Sequence, residues 1–153
     1  MPAPDPQIIL EALSHGATGD HQRGLDMLQP MVDAGPRSTF ALLGSLAEMA
    51  SKEARDTYGP DTFYGMAVET PDGRASADVL PPPVRFATQF ITAWANRDQD
   101  TAHALFLAAA KSAEQNGTDE LSDGITAVYA MAAVAAEHVV LEQRRLREEG
   151  DIR

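Results

Sequence analysis

The chain contains no cysteine, which excludes a disulfide framework, a thiolate zinc site, an iron–sulfur cluster and a cysteine nucleophile. Basic charge is scarce. Twelve Lys and Arg stand against 23 Asp and Glu, a formal charge of −11, and a field of that sign repels a phosphate backbone or an anionic bilayer. Neither nucleic acid nor membrane is expected as a partner. Lysine is confined to Lys52 and Lys111; with the heavy use of alanine this suggests a high-GC coding bias and a bacterial source. Long hydrophobic runs are also missing: the most apolar stretch, Ile125 to Ala136, is broken by Thr126 and falls well short of the ~20 residues that cross a bilayer. The first residues, Met1 to Pro6, lack the positive and apolar regions of a secretory signal, so a cytoplasmic location is expected. No glycine-rich phosphate loop and no Gly-x-Ser-x-Gly elbow occurs, and no cofactor is expected.

What remains is ordinary globular material: 153 residues, 44% hydrophobic and 23% charged, enough for one domain with one core. Helical periodicity dominates. Asp5-Pro6 supplies an N-cap and a proline at the first helical position, followed by Ile8, Ile9, Ala12 and Leu13. Asp20 caps a second helix with the stripe Leu25, Leu28, Met31 and Val32, which Pro30 should kink or restart. Ser38 or Thr39 opens a third, with Leu42, Leu43, Leu46, Ala47, Met49 and Ala50 on its buried face. These helices occupy 1–58.

Between Thr62 and Leu80 the period changes, and Thr70-Pro71-Asp72-Gly73 has turn chemistry, so a small β-hairpin, or failing that an ordered loop, is expected over 62–80. Pro81-Pro82-Pro83 reads as an extended strut. The segment 84–149 then forms a helical hairpin, with Phe86, Phe90, Ala93 and Trp94 leading and Asp98 or Asp100 as the second cap, plus a long final helix from Thr118 or Asp119 to Glu149. That helix carries a seam of alternating steps of four and three: Leu121, Ile125, Val128, Ala132, Ala135, Val139 and Leu146, broken at Glu142. The expectation is a mainly α single-domain bundle of five to seven helices with a small β-hairpin insertion.

Ile8, Ala12, Gly19, Gly24, Leu28, Met31 and Pro36 fall where a tetratricopeptide repeat places its large residue, small residue, turn glycine, small packing residue, apolar pair and closing proline. The unit resembles one such helical hairpin. Phe90, Ala102, Phe106 and Ala109 resemble the pattern again, with Arg97 at the turn-glycine position. The 34-residue period fails after Pro36, which favours a plain bundle over an array. The resemblance implies a peptide- or protein-binding scaffold.

Two carboxylate pairs at i and i+3, Glu53 with Asp56 and Glu120 with Asp123, together with Glu48, could hold Mg²⁺. The arrangement is similar to that of all-α nucleotide pyrophosphohydrolases of the MazG and dUTPase type, although a Glu-Glu-x-x-Glu pair is absent. Solvated acidic faces explain the same residues. His15, His21, His103 and His138 form no zinc pattern. Tyr58, Phe63 and Tyr64 at the helix-to-hairpin junction, and Val139 and Leu146 on the last helix, are the candidate partner-binding residues. The expected function is a non-catalytic helical scaffold that binds a protein partner, with a homodimer through the alanine-rich last helix as one form. The alternatives are the phosphohydrolase and a bundle holding an apolar ligand between the Phe86–Trp94 face and the last helix.

Overall fold

The computed structural model describes residues 5–59, 62–65, 68–71, 73–75 and 79–151. Among them are six helices: α1 (Pro6–Ala17), α2 (His21–Asp33), α3 (Pro36–Tyr58), α4 (Pro82–Ala95), α5 (Gln99–Asn116) and α6 (Glu120–Asp151). The protein is mainly helical. The Asp5 carboxylate accepts from the Gln7 N–H at 2.9 Å, Asp20 from Arg23 at 3.3 Å and Asp98 from Thr101 at 3.1 Å. Each supplies an acceptor for an N–H that the first helical turn leaves unsatisfied.

Prolines account for several departures from expectation. Pro36 starts α3 two or three residues earlier than Ser38 or Thr39 would, because its missing N–H is harmless in a first turn. For the same reason Pro82 and Pro83 are the opening of α4, and the expected strut over 81–83 shrinks to Pro81. Pro30 neither stops nor restarts α2; it sits exposed in the last turn, and the helix closes with Ala34 N–H donating to the Pro30 carbonyl at 3.0 Å. The hairpin expected across Thr62 to Leu80 is not present at that length. Among the described residues antiparallel pairing is limited to Val68–Thr70 against Gly73–Ala75, and Thr62 to Gly65 carries no regular structure. Residues 66, 67, 72 and 76–78 lie outside the described set.

Two tight turns share one backbone design. In the α1–α2 turn Gly19 N–H donates to Gly16 and Asp20 N–H to His15; in the α4–α5 turn Arg97 N–H donates to Trp94 and Asp98 N–H to Ala93. Both turns pass through the left-handed region, at φ 96° for Gly19 and φ 60° for Arg97. Glycine adopts that conformation freely, whereas arginine does so at some strain. Ala12, Gly24 and Leu28 and, seventy-eight positions on, Phe90, Ala102 and Phe106 thus flank two turns with the same hydrogen bonds.

The middle of α6 is the spine. Its Ile125, Val128, Tyr129, Ala132 and Ala133 are buried, packed among α1, α3 and α4. Tyr129 donates its hydroxyl to the Ala12 carbonyl at 2.5 Å, tying α6 to α1 across 117 residues of sequence. Burial, with the charge of Asp20 nearby adding to it, pushes this phenol above its ordinary pKa of 10.0. Gly16, Gly24 and Gly124 let helices approach this closely: a methyl on Gly16 would lie 2.6 Å from the Tyr129 hydroxyl, and one on Gly124 2.7 Å from the Phe86 ring. A second aromatic cluster joins α3 to α4 and α5, with Phe40 facing Phe90 at 6.0 Å and Trp94 at 6.1 Å.

Candidate functional site

Past Met49 on α3 and Ala135 on α6, the two helices leave a groove of about 580 Å³ between them. Met49, Ala135, Val139 and Leu141 give it an apolar lining, and Lys52, Glu53, Asp56, His138, Glu142 and Arg145 surround that lining with charge of both signs. Lys52 pairs with Asp56 at 2.8 Å, and Glu142 with Arg145 at 2.5 Å. The Lys52 hydrogen bond, helped by the charges of Lys52 and Arg55, holds the Asp56 carboxyl below the usual carboxylate range. Both pairs are well exposed, so they shape the rim more than they stabilise the fold. His138 Nδ1 lies 3.9 Å from Glu53 Oε2 across the groove.

Beyond this groove α6 outruns its neighbours. Along the seam, Ile125 is 6% exposed and Val128 and Ala132 are fully buried, but Val139 is 44% and Leu146 56% exposed. Leu141 at 53% continues the same exposed end. All described side chains from Glu137 to Gly150 are exposed. By length and composition α6 is long and apolar enough over Glu120–Gly150 to cross a bilayer, a test that the buried core helix of a bundle also passes. Its inner part serves instead as the core helix of the bundle.

The five carboxylates read as a metal set do not converge. Glu48 holds Arg55 at 2.5 Å and accepts from the Trp94 indole Nε1 at 3.1 Å, a tie between α3 and α4. Glu53 and Asp56 line the groove. Glu120 and Asp123 stand in the first turn of α6, and the fifteen residues from Asp123 to His138 span about 22 Å of helix. Equal spacing on two helices creates two acidic faces, and the packing of those helices places them at opposite ends. Among the described residues no three of His, Asp and Glu come together to hold a metal ion.

The aromatic junction also divides. Tyr58 and Phe63 are 66% and 85% exposed. Tyr64 is half-buried and structural: its N–H donates to Asn96 Oδ1 at 2.6 Å, its carbonyl accepts from Asn96 Nδ2 at 2.8 Å, and its hydroxyl donates to the Gly59 carbonyl at 2.8 Å. Phe63 is thus held outward beside a clamped neighbour. The proposed apolar-ligand space between the Phe86–Trp94 face and α6 is occupied in part by the rings themselves, Phe86 against Gly124 and Phe90 against Trp94 at 6.1 Å.

Met49, Leu141 and His138 were missed as groove residues. Leu141 lies off the four-three seam, and only the pairing of α3 with α6 makes Met49 and His138 neighbours. Comparison with known protein families, curated proteins and solved structures finds no match to this chain.

Proposed function

We propose that this protein is a non-catalytic helical interaction module, and that its docking surface is the α3–α6 groove with the outer turns of α6. One observation carries the reading: the apolar seam of α6 continues through Val139 and Leu146 after the intramolecular neighbours that cover Ile125 to Ala132 have ended. Leaving such side chains in water forfeits roughly 1.5–3 kcal/mol each relative to full burial, and a partner recovers part of it. The occupant that fits is an amphipathic helix of a protein. Its apolar face covers Met49, Val139 and Leu141, while its charges meet a rim carrying both signs.

A photo-cross-linking residue placed at Leu146 in the full chain, in its native host, tests this, with Leu107 on α5 as the control because it is similarly exposed at 50%. The expected result is a protein adduct at position 146, absent at 107, whose cross-linked peptide is identified by mass spectrometry as an amphipathic helical segment. A position 146 that behaves like 107 refutes the reading.

A further inference from the structure

We infer that the α3–α6 groove is a pH-sensitive clasp, open while His138 is neutral and drawn narrower when the protonated imidazole pairs with Glu53 across it. Its effect on docking rests on the reading of this groove as the docking surface; the movement itself does not.

Register is the first argument. α3 buries Leu42, Leu43, Leu46 and Ala47, and α6 buries Val128, Tyr129, Ala132 and Ala133 at the same spacing. Continued in steps of three and four, the two stripes put Met49 level with Ala135, Glu53 with Val139 and Asp56 with Glu142, and all six line the groove. At about 100° per residue each of the six lies within about 40° of Leu42 or Val128 on its own helix. The seam that closes the core thus runs on into the groove and turns acidic there. On the outermost rung carboxylate stands level with carboxylate, and like charge favours helices that part over helices that pack.

Charge balance is the second. The lining carries Glu53, Asp56 and Glu142 against Lys52 and Arg145, one negative charge in excess while His138 is neutral. Both fixed cations are taken up on their own helices, Lys52 by Asp56 at 2.8 Å and Arg145 by Glu142 at 2.5 Å. Among the described residues the one ionic contact between α3 and α6 is His138 Nδ1 to Glu53 Oε2 at 3.9 Å, and it is an ion pair only when the imidazole is protonated. Histidine changes charge between roughly pH 5 and 8. Facing it are Lys52, Glu53 and Asp56 of α3, with Glu142 one turn further along α6 and Arg145 in the turn after that. Asp56, held below the usual carboxylate range by its hydrogen bond to Lys52, keeps its charge throughout that interval. Protonation of His138 therefore cancels the excess and adds an attraction across the groove, which strengthens as the helices approach. The two side chains are 61% and 78% exposed, so the ratio of narrow to open forms should rise only by roughly 1.5- to 5-fold.

Because the chain has no cysteine, Tyr58→Cys/Arg144→Cys carries two spin labels and no others. Both positions are exposed and lie about 160° round from the seam, outside the groove lining. Pulsed dipolar spectroscopy at about pH 7.5 and about pH 5.5 reads the separation of the helices, and circular dichroism checks that helicity is unchanged. The shorter-distance population is expected to grow by the stated factor at the lower pH, to stop responding in His138→Gln and in Glu53→Gln, and to be present at both pH values in His138→Lys. Wild-type distances that ignore pH overturn the inference, as does a response that survives both His138→Gln and Glu53→Gln. Cross-linking at Leu146 tests docking separately: a helical adduct there with distances that ignore pH overturns the clasp alone, and a responding groove with no specific adduct overturns the docking surface alone.

Discussion

Replacing Gly24 with alanine places two physical rules in opposition. In an isolated helix the change is worth about 1 kcal/mol of added stability, because alanine loses less backbone freedom on folding. In this protein α2 crosses α1 and α6 at Gly24, and a methyl there would overlap the Tyr129 hydroxyl and lie 2.5 Å from the Ala12 carbonyl oxygen. Those two atoms are joined by the buried hydrogen bond that ties α6 to α1, so making room displaces Tyr129 or separates the helices. Overpacking costs roughly 1–3 kcal/mol, and a weakened buried hydrogen bond about 1 kcal/mol more. The net expectation is a loss of about 2 kcal/mol, which for a chain of this length is roughly 4–8 °C in Tm. Gly150→Ala is the control, since nothing lies within 4 Å of that position, and it should leave stability unchanged or raise it by a few tenths of a kcal/mol. Urea unfolding followed by circular dichroism reads both variants. If Gly24→Ala were as harmless as Gly150→Ala, the close approach of α2 to Tyr129 would be refuted, and with it α6 as the spine of the bundle.

Arg97→Gly relieves the left-handed φ of 60° in the α4–α5 turn and should raise stability by about 0.5–1 kcal/mol, measured by the same unfolding curve. Asn96→Ala removes both hydrogen bonds to the Tyr64 backbone; a loss of about 1–3 kcal/mol is expected, and limited proteolysis should cut faster between Gly59 and Leu80. Tyr129 has its pKa raised in the folded state, so its contribution is fully present below pH 10 and is lost as pH rises through 10 towards the raised value. Urea midpoints taken across the alkaline range should therefore fall less steeply in Tyr129→Phe than in the wild type. Leu146→Asp, at a position 56% exposed, should leave the unfolding midpoint at low protein concentration within about 0.5 kcal/mol of the wild type.

Local signals read well where the chemistry is local. The caps at Asp5, Asp20 and Asp98 each act within three residues of the sequence, and each is found where its side chain directs it. The buried side of α6 was legible too, because Ile125, Val128 and Ala132 recur at steps of three and four, although Val134 in the same apolar run is 51% exposed. Proline was harder to place. Pro36 and Pro82 look like breakers, yet in a first turn they begin helices, and whether a proline opens or ends an element depends on the capping around it. Of the candidate residues, Val139 and Leu146 are exposed apolar positions on a seam that the sequence spells out, whereas Tyr64 is tied to the fold through Asn96, thirty-two positions away.

Periodicity, capping residues and charge balance belong to the chain itself, and they suffice for a helical protein with an acidic body and a neutral carboxyl-terminal segment. They operate over one or two turns, and so survive in any tertiary arrangement. Which acidic faces meet, and how far along α6 the neighbouring helices reach, are properties of packing. Glu53 and Glu120 have equivalent spacing to their carboxylate partners in sequence, yet one borders a groove and the other stands about three helical turns or more from it. Only the lengths and crossings of α3, α4 and α6 decided where the core stops and which apolar side chains of α6 stay exposed.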